Sequence, residues 1–125
     1  MNNVTTFKSL IGQTITKIEG ATKNSDCITF YTHSGNIYQM YHSQDCCESV
    51  YLEDVCGDIN DLLNSTILKA SEDTNHNDDP PAEGSDESYT WTFYNIATFN
   101  GHVTFRWFGS SNGYYSESVD FVKTN

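Results

Sequence analysis

Three observations predict an α+β fold that is mainly antiparallel β-sheet with two short helices. Aromatic residues make up 14 % of the chain, chiefly Tyr and Phe, while Ala, Leu and Lys are scarce, a bias that favours strands. Apolar alternation with period two recurs along the chain, most plainly over residues 91–108. Gly-containing turn signals, Ser34-Gly35-Asn36, Asn100-Gly101 and Asn112-Gly113, punctuate those runs at hairpin spacing. A chain of 125 residues can bury roughly two-thirds of the surface its unfolded form exposes. The expectation is a single domain over 1–125, a meander that can close as a sandwich or half-barrel.

Taken in order, Thr5 or Thr6 can cap a short helix that puts Phe7, Leu10 and Ile11 on one face, with Gly12 as its stop. Residues 14–19 fit a strand, and 27–33 with 37–42 read as a hairpin. That hairpin leads into 40–58, which gathers Cys46, Cys47 and Cys56, His42 and five carboxylates among strand-forming residues. Asp58 can cap a second short helix over 58–63, and 67–71 can return as a strand. Residues 71–88 hold seven acids, no Lys or Arg, and both prolines, so they predict a flexible acidic loop inside the domain. In the carboxyl third, 91–99 and 102–108 alternate around a type I′ turn at Asn100-Gly101, and 115–122 adds a third strand with Val119 and Phe121 on one face.

Six basic against seventeen acidic residues give a formal charge of -11, which repels a phosphate backbone and argues against direct nucleic-acid binding. The first ten residues lack a basic n-region and an apolar h-region, and no later run approaches the roughly 18 apolar residues of a membrane span. The chain is therefore expected in the cytoplasm, away from the membrane, with its thiols reduced.

Several constellations could carry chemistry. His42, Cys46, Cys47 and Cys56 are zinc-type ligands, but neighbouring cysteines on a strand face opposite ways and no Cys-x-x-Cys pair is present, so packed hydrophobes are the expectation and no metal is assigned. A cysteine nucleophile with His42 as base is opposed by Glu48, next to Cys47. No catalytic residue and no cofactor is assigned. Glu53, Asp54 and Asp58 read as a solvated turn and a helix cap. Arg106, the only arginine, either pairs with Asp120 or Glu117 on a neighbouring strand or offers its planar fork to an anion. Tyr94, Phe108, Tyr114 and Tyr115 beside it could form a stacking platform for a base, or simply belong to the core.

The segments QDCCESVYLEDVCGDINDLL at 44–63, TWTFYNI at 90–96 and RWFGSSNGYYSESVDF at 106–121 resemble a family of small phage and prophage proteins of unknown function. The resemblance implies a viral accessory protein in a host bacterial cytoplasm, of the kind that blunts host defences. One reading is a binding protein, expected to be a homo-oligomer, that sequesters a nucleotide-derived immune signal, a cyclic oligonucleotide or an ADP-ribose derivative, without cleaving it. Its site would comprise His42, Asp45, Glu48, Tyr94, Arg106, Phe108, Asn112, Tyr114, Tyr115 and Ser116. Another is an acidic decoy that imitates nucleic acid on a host defence nuclease, since thirteen of the seventeen acids fall within 45–87. An enzyme that degrades the signal ranks last.

Overall fold

The computed structural model describes residues 7–42, 48–76, 88–111 and 118–124, with the side chains at 75, 76, 88, 89 and 111 left aside. Within them run eight strands: β1 (Ile15–Glu19), β2 (Cys27–Thr32), β3 (Ile37–Tyr41), β4 (Ser49–Cys56), β5 (Lys69–His76), β6 (Ser88–Thr98), β7 (Gly101–Ser111) and β8 (Asp120–Lys123). They form two four-stranded sheets, in the orders β1-β2-β3-β8 and β4-β7-β6-β5. Every pairing between these strands is antiparallel.

The inner faces follow from the period-two alternation of side chains along a strand. Ile28 and Phe30 on β2, Tyr38 and Met40 on β3, Val50 and Leu52 on β4, and Val103, Phe105 and Trp107 on β7 are all buried. They meet across the sheets: Phe30 packs edge-on against Phe105 at 5.8 Å, and the Trp107 indole N–H donates to the Met40 sulfur at 3.1 Å. On β6 the inward set is Tyr94 and Ile96 with Thr90, Thr92 and Thr98, while Trp91 and Phe93 lie on the half-buried outer face. Phe7 closes one end of the core, packing at 4.7 Å on Tyr94 and 5.2 Å on Phe121.

Both expected helices exist only as single 3-10 turns, Phe7–Leu10 and Ile59–Leu62, so the helical share of the fold is small. Phe7 and Leu10 are buried as the spacing requires, but Ile11 is 47 % exposed because the turn ends before it. Asp58 caps the second turn by accepting from the Asn60 backbone N–H at 2.9 Å.

Three expectations need correction. The β6–β7 hairpin turns on Phe99 and Asn100, because Thr98 faces Gly101 in the register, and neither turn residue has the positive φ of a type I′ turn. Gly101 serves another purpose: a Cβ there would sit 2.5 Å from Asp61 Oδ2, so glycine lets the Ile59–Leu62 turn rest on the hairpin. The Thr98 hydroxyl fastens that contact by donating to the Asp61 carbonyl at 2.6 Å.

Residues expected to begin the acidic loop at Ser71 instead belong to β5, which pairs with β6 from Lys69↔Ala97 to His76↔Thr90. An edge strand presents one flank to water, so it accommodates Ser, Glu, Asp and Thr, and its charges discourage edge-to-edge association. The remainder of that expected loop, 77–87, lies outside the described residues, as do Asn112 and Gly113. Finally, the last strand does not extend the β6–β7 meander. β8 crosses to the other sheet and pairs with β3, from Tyr38↔Lys123 to Tyr41↔Asp120, with Val119 and Phe121 facing the core as expected.

Candidate functional site

The alternation that builds the core also builds a polar clasp at its end. His42 continues the inward set of β3 after Tyr38 and Met40, and Glu48 precedes the inward set of β4, Val50 and Leu52. Both side chains therefore turn into the space between the sheets, where they are 4 % and 0 % exposed. His42 Nε2 lies 2.6 Å from Glu48 Oε2, and His42 Nδ1 lies 2.6 Å from the Ser118 carbonyl oxygen. A carbonyl only accepts, so Nδ1 donates to Ser118 and Nε2 is left to meet the Glu48 carboxylate. The clasp draws together residues of two stretches that stand out in the sequence, 40–58 and 106–121. With both ring nitrogens bonded, His42 has no nitrogen left to ligate a metal or take a proton from a thiol.

Beside the clasp is a cavity of about 340 Å³ lined by Asp26, Cys27, Gln39, Tyr41, His42 and Val50. Cys27 faces Tyr41 and Thr29 faces Gln39 in the β2–β3 register, so Cys27, Gln39 and Tyr41 share the outer face of their sheet. Burial pushes the Cys27 thiol up, the nearby Asp26 carboxylate adds to the effect, and a hydrogen bond with Thr29 opposes it. Cys27 is thus a thiol at neutral pH. Sequence reasoning passed over Asp26, Cys27, Gln39 and Tyr41; the hairpin alternation could have placed the last three on one face, but nothing in the sequence said that this face is hollow.

Arg106 stands apart from the cavity, on the outer face of β7. A register shift between Leu52 and Asp54 brings two consecutive acids of β4 against it. Its Nε and Nη2 donate to Glu53 Oε1 at 2.8 and 2.5 Å, and Asp54 Oδ2 lies 3.6 Å from Nη2. The hydrogen bond that it donates to Glu53 raises the guanidinium above its ordinary range. The guanidinium carbon sits 5.6 Å from the Trp91 ring centroid. The expected partner Asp120 is not the one used, because it lies on the other sheet; the alternative, Glu117, is outside the described residues. An incoming anion would have to displace Glu53 from the fork.

The aromatic platform is likewise rearranged. Tyr94 is 1 % exposed and faces the core, its hydroxyl donating to the Val119 carbonyl at 3.1 Å, so it offers no stacking face. Burial, with Glu72 and Asp120 nearby, drives its phenol far above the ordinary range. Phe108 is on the outer face with Arg106 but is 7 % exposed, packed 4.7 Å from Trp91 and 6.0 Å from Tyr51. Asp45, Cys46, Cys47, Asn112, Tyr114, Tyr115 and Ser116 lie outside the described residues. Cys56, expected to be packed, is exposed at the end of β4, where its thiol lies 3.9 Å from Asp54 Oδ2. Among the described residues no three His, Cys, Asp or Glu side chains are placed to share an ion. No helix among them is long and apolar enough to cross a membrane.

Fold and site together define a two-sheet antiparallel β protein whose core ends in a buried histidine–carboxylate clasp beside a polar cavity. The chain belongs to the family Domain of unknown function (DUF7448), whose model matches residues 8–121. Comparison with the curated proteins gives no match, and comparison with the solved structures gives none.

Proposed function

We propose that the protein is a phage accessory protein that binds a nucleotide-derived host immune signal, a cyclic oligonucleotide or an ADP-ribose derivative, and withholds it without cleaving it. The observation that carries this reading is convergence. Through His42, Glu48 and Ser118 residues of both distinctive sequence stretches meet beside a cavity that mixes hydrogen-bonding groups with an aromatic ring. Recognition sites for small ligands have this composition, a largely preformed hollow with a few placed polar groups. Binding without cleavage is supported by the state of the two groups that could have done chemistry there. His42 has both nitrogens engaged, and Cys27 is held as a thiol. The test is native mass spectrometry of the full chain purified from cells making such signals. An added mass that is released as intact nucleotide on denaturation is expected; a bare protein, or a cleaved nucleotide, would end the reading.

A second reading, the acidic decoy on a host nuclease, is favoured by the charge of -11 and by the exposed run Ser71, Glu72, Asp73 and Thr74 on an edge strand. Contacts of that kind are screened over about 10 Å at 0.1 M salt. Affinity for the nuclease should then fall steeply as salt rises, and a flat salt dependence would exclude the decoy.

A further inference from the structure

Large apolar side chains left in water are informative when they gather in one place. Among the described residues Ile11, Leu68 and Phe99 are exposed in this way, and backbone hydrogen bonds bring them to one end of the two sheets. The Gly12 N–H donates to the Ile67 carbonyl at 2.8 Å, which sets Ile11 beside Leu68. The Leu68 N–H in turn donates at 2.8 Å to the carbonyl of Ala97, two residues before Phe99. Phe99 is 85 % exposed in the β6–β7 turn. Turns favour Gly, Asn, Asp, Ser and Pro, so an aromatic ring in water at this position serves neither the turn nor the core. Charge frames this end unevenly. Lys69 starts β5 opposite Ala97, and the Lys8 carbonyl accepts from the Ile11 N–H, so both lysines flank the apolar side chains on the β5 side. Both are exposed, and neither forms an ion pair with a described residue. The exposed Asp58 lies on the opposite side, two residues past Cys56, which pairs with Thr104 of β7. In the sheet order β4-β7-β6-β5 the hairpin turn with Phe99 therefore falls between the acid and the lysines.

We propose that this end is a contact surface for a second copy of the chain, related by a two-fold axis through the hairpin turn, so that Phe99 of each copy packs on Phe99, Leu68 and Ile11 of the other. The proposal is independent of what the cavity binds. Its basis is charge complementarity. A two-fold contact must be self-complementary. A half-turn about Phe99 does this here, because it sets Lys69 of each copy against Asp58 of the other around an apolar centre. A bilayer suits the surface less, since anionic headgroups would repel Asp58 and the net charge of -11. Strand addition at the β5 edge is not involved, and the acids there oppose it. Three apolar side chains with a charged rim make a contact at the small end of the range for specific interfaces. The charge on each chain opposes association as well, so the dimer forms reversibly and is not obligate.

The test is sedimentation equilibrium of the full chain over a range of concentrations. The wild type is expected to show a reversible monomer–dimer equilibrium. Phe99→Ser should weaken it at least about tenfold, the least that burying a phenylalanine ring on association contributes. The ring is exposed, so this variant should keep the wild-type melting temperature and the comparison stays interpretable. Charge reversal then tests the two-fold arrangement. Lys69→Glu alone and Asp58→Lys alone should each weaken self-association, because each sets like charges against one another at both rims. An equimolar mixture of the two variants should associate about as well as the wild type, since every rim contact between them again joins opposite charges. The mixed pair also carries the same total charge as two wild-type chains, so restoration reports the local contacts. A wild type that stays monomeric at all concentrations would overturn the proposal, as would Phe99→Ser dimerising like the wild type. A mixture no better than either variant alone would overturn the two-fold pairing of Lys69 with Asp58. A monomeric wild type that floats with phosphatidylglycerol vesicles, and loses this in Phe99→Ser, would make the same end a lipid-binding tip and the dimer wrong.

Discussion

His42 and Glu48 approach to 2.6 Å with their side chains almost wholly buried, while the other face of the imidazole is held by the Ser118 carbonyl. The pair ties the end of β3 to the start of β4, and so one sheet to the other. Removing one partner leaves the other buried without the charge-assisted contact it folds against. His42→Ala should therefore cost about 3–5 kcal/mol in urea unfolding, whereas replacing both residues by His42→Leu and Glu48→Met should recover much of that loss. Equal losses for the single and double variants would show that the pair does not act as a unit.

Arg106 contrasts with that clasp because its ion pair is open to water on the outer face. Exposed pairs contribute about 1 kcal/mol or less. Arg106→Ala should accordingly lower stability by about 1 kcal/mol, part of it from lost packing on Trp91. Ligand binding in the cavity should stay within about twofold, a figure set by the small coupling expected between separate sites. Loss of binding in Arg106→Ala and in Arg106→Lys would return Arg106 to the recognition site.

Glu72 gives a pH dependence of known sign. Although Glu72 as a whole is exposed on the edge strand, partial burial of its carboxyl beside Tyr94 raises it above the ordinary value of 4.5. A raised acid is favoured protonated in the folded state, so its contribution is present below pH 4.5 and is lost as pH rises through the unfolded and then the folded value. Glu72→Gln should therefore gain melting temperature over the wild type at pH 7, and the gain should shrink toward pH 4. A difference that is constant across that range would refute the assignment.

The two described cysteines should separate in alkylation. Cys27 is half-buried with its thiol pushed up by burial, and Cys56 is exposed. Only the thiolate reacts. Iodoacetamide at pH 8 should label Cys56 several-fold faster than Cys27, as read by peptide mass spectrometry, and urea should abolish the difference.

Local rules made much of the architecture legible. The β2–β3 and β6–β7 hairpins, the Asp58 cap, the stop at Gly12, and the inward alternation of Val103, Phe105 and Trp107 or of Val119 and Phe121 all depend on residues within a few positions of one another. Those are the distances over which backbone sterics, turn chemistry and period-two patterning act. Partners distant in sequence were another matter. Alternation says which side of β8 is buried but is silent on whether its neighbour is β7 or β3, and the same silence left Arg106 paired in expectation with Asp120 in place of Glu53. Polar residues 71–74 could be read as loop because a strand at a sheet edge needs no apolar flank once β6 supplies its hydrogen bonds. His42 and Glu48 stood out from the sequence as residue types; only the packing of the two sheets buried their side chains together, and only that packing gathered Asp26, Gln39 and Tyr41 around one hollow beside them.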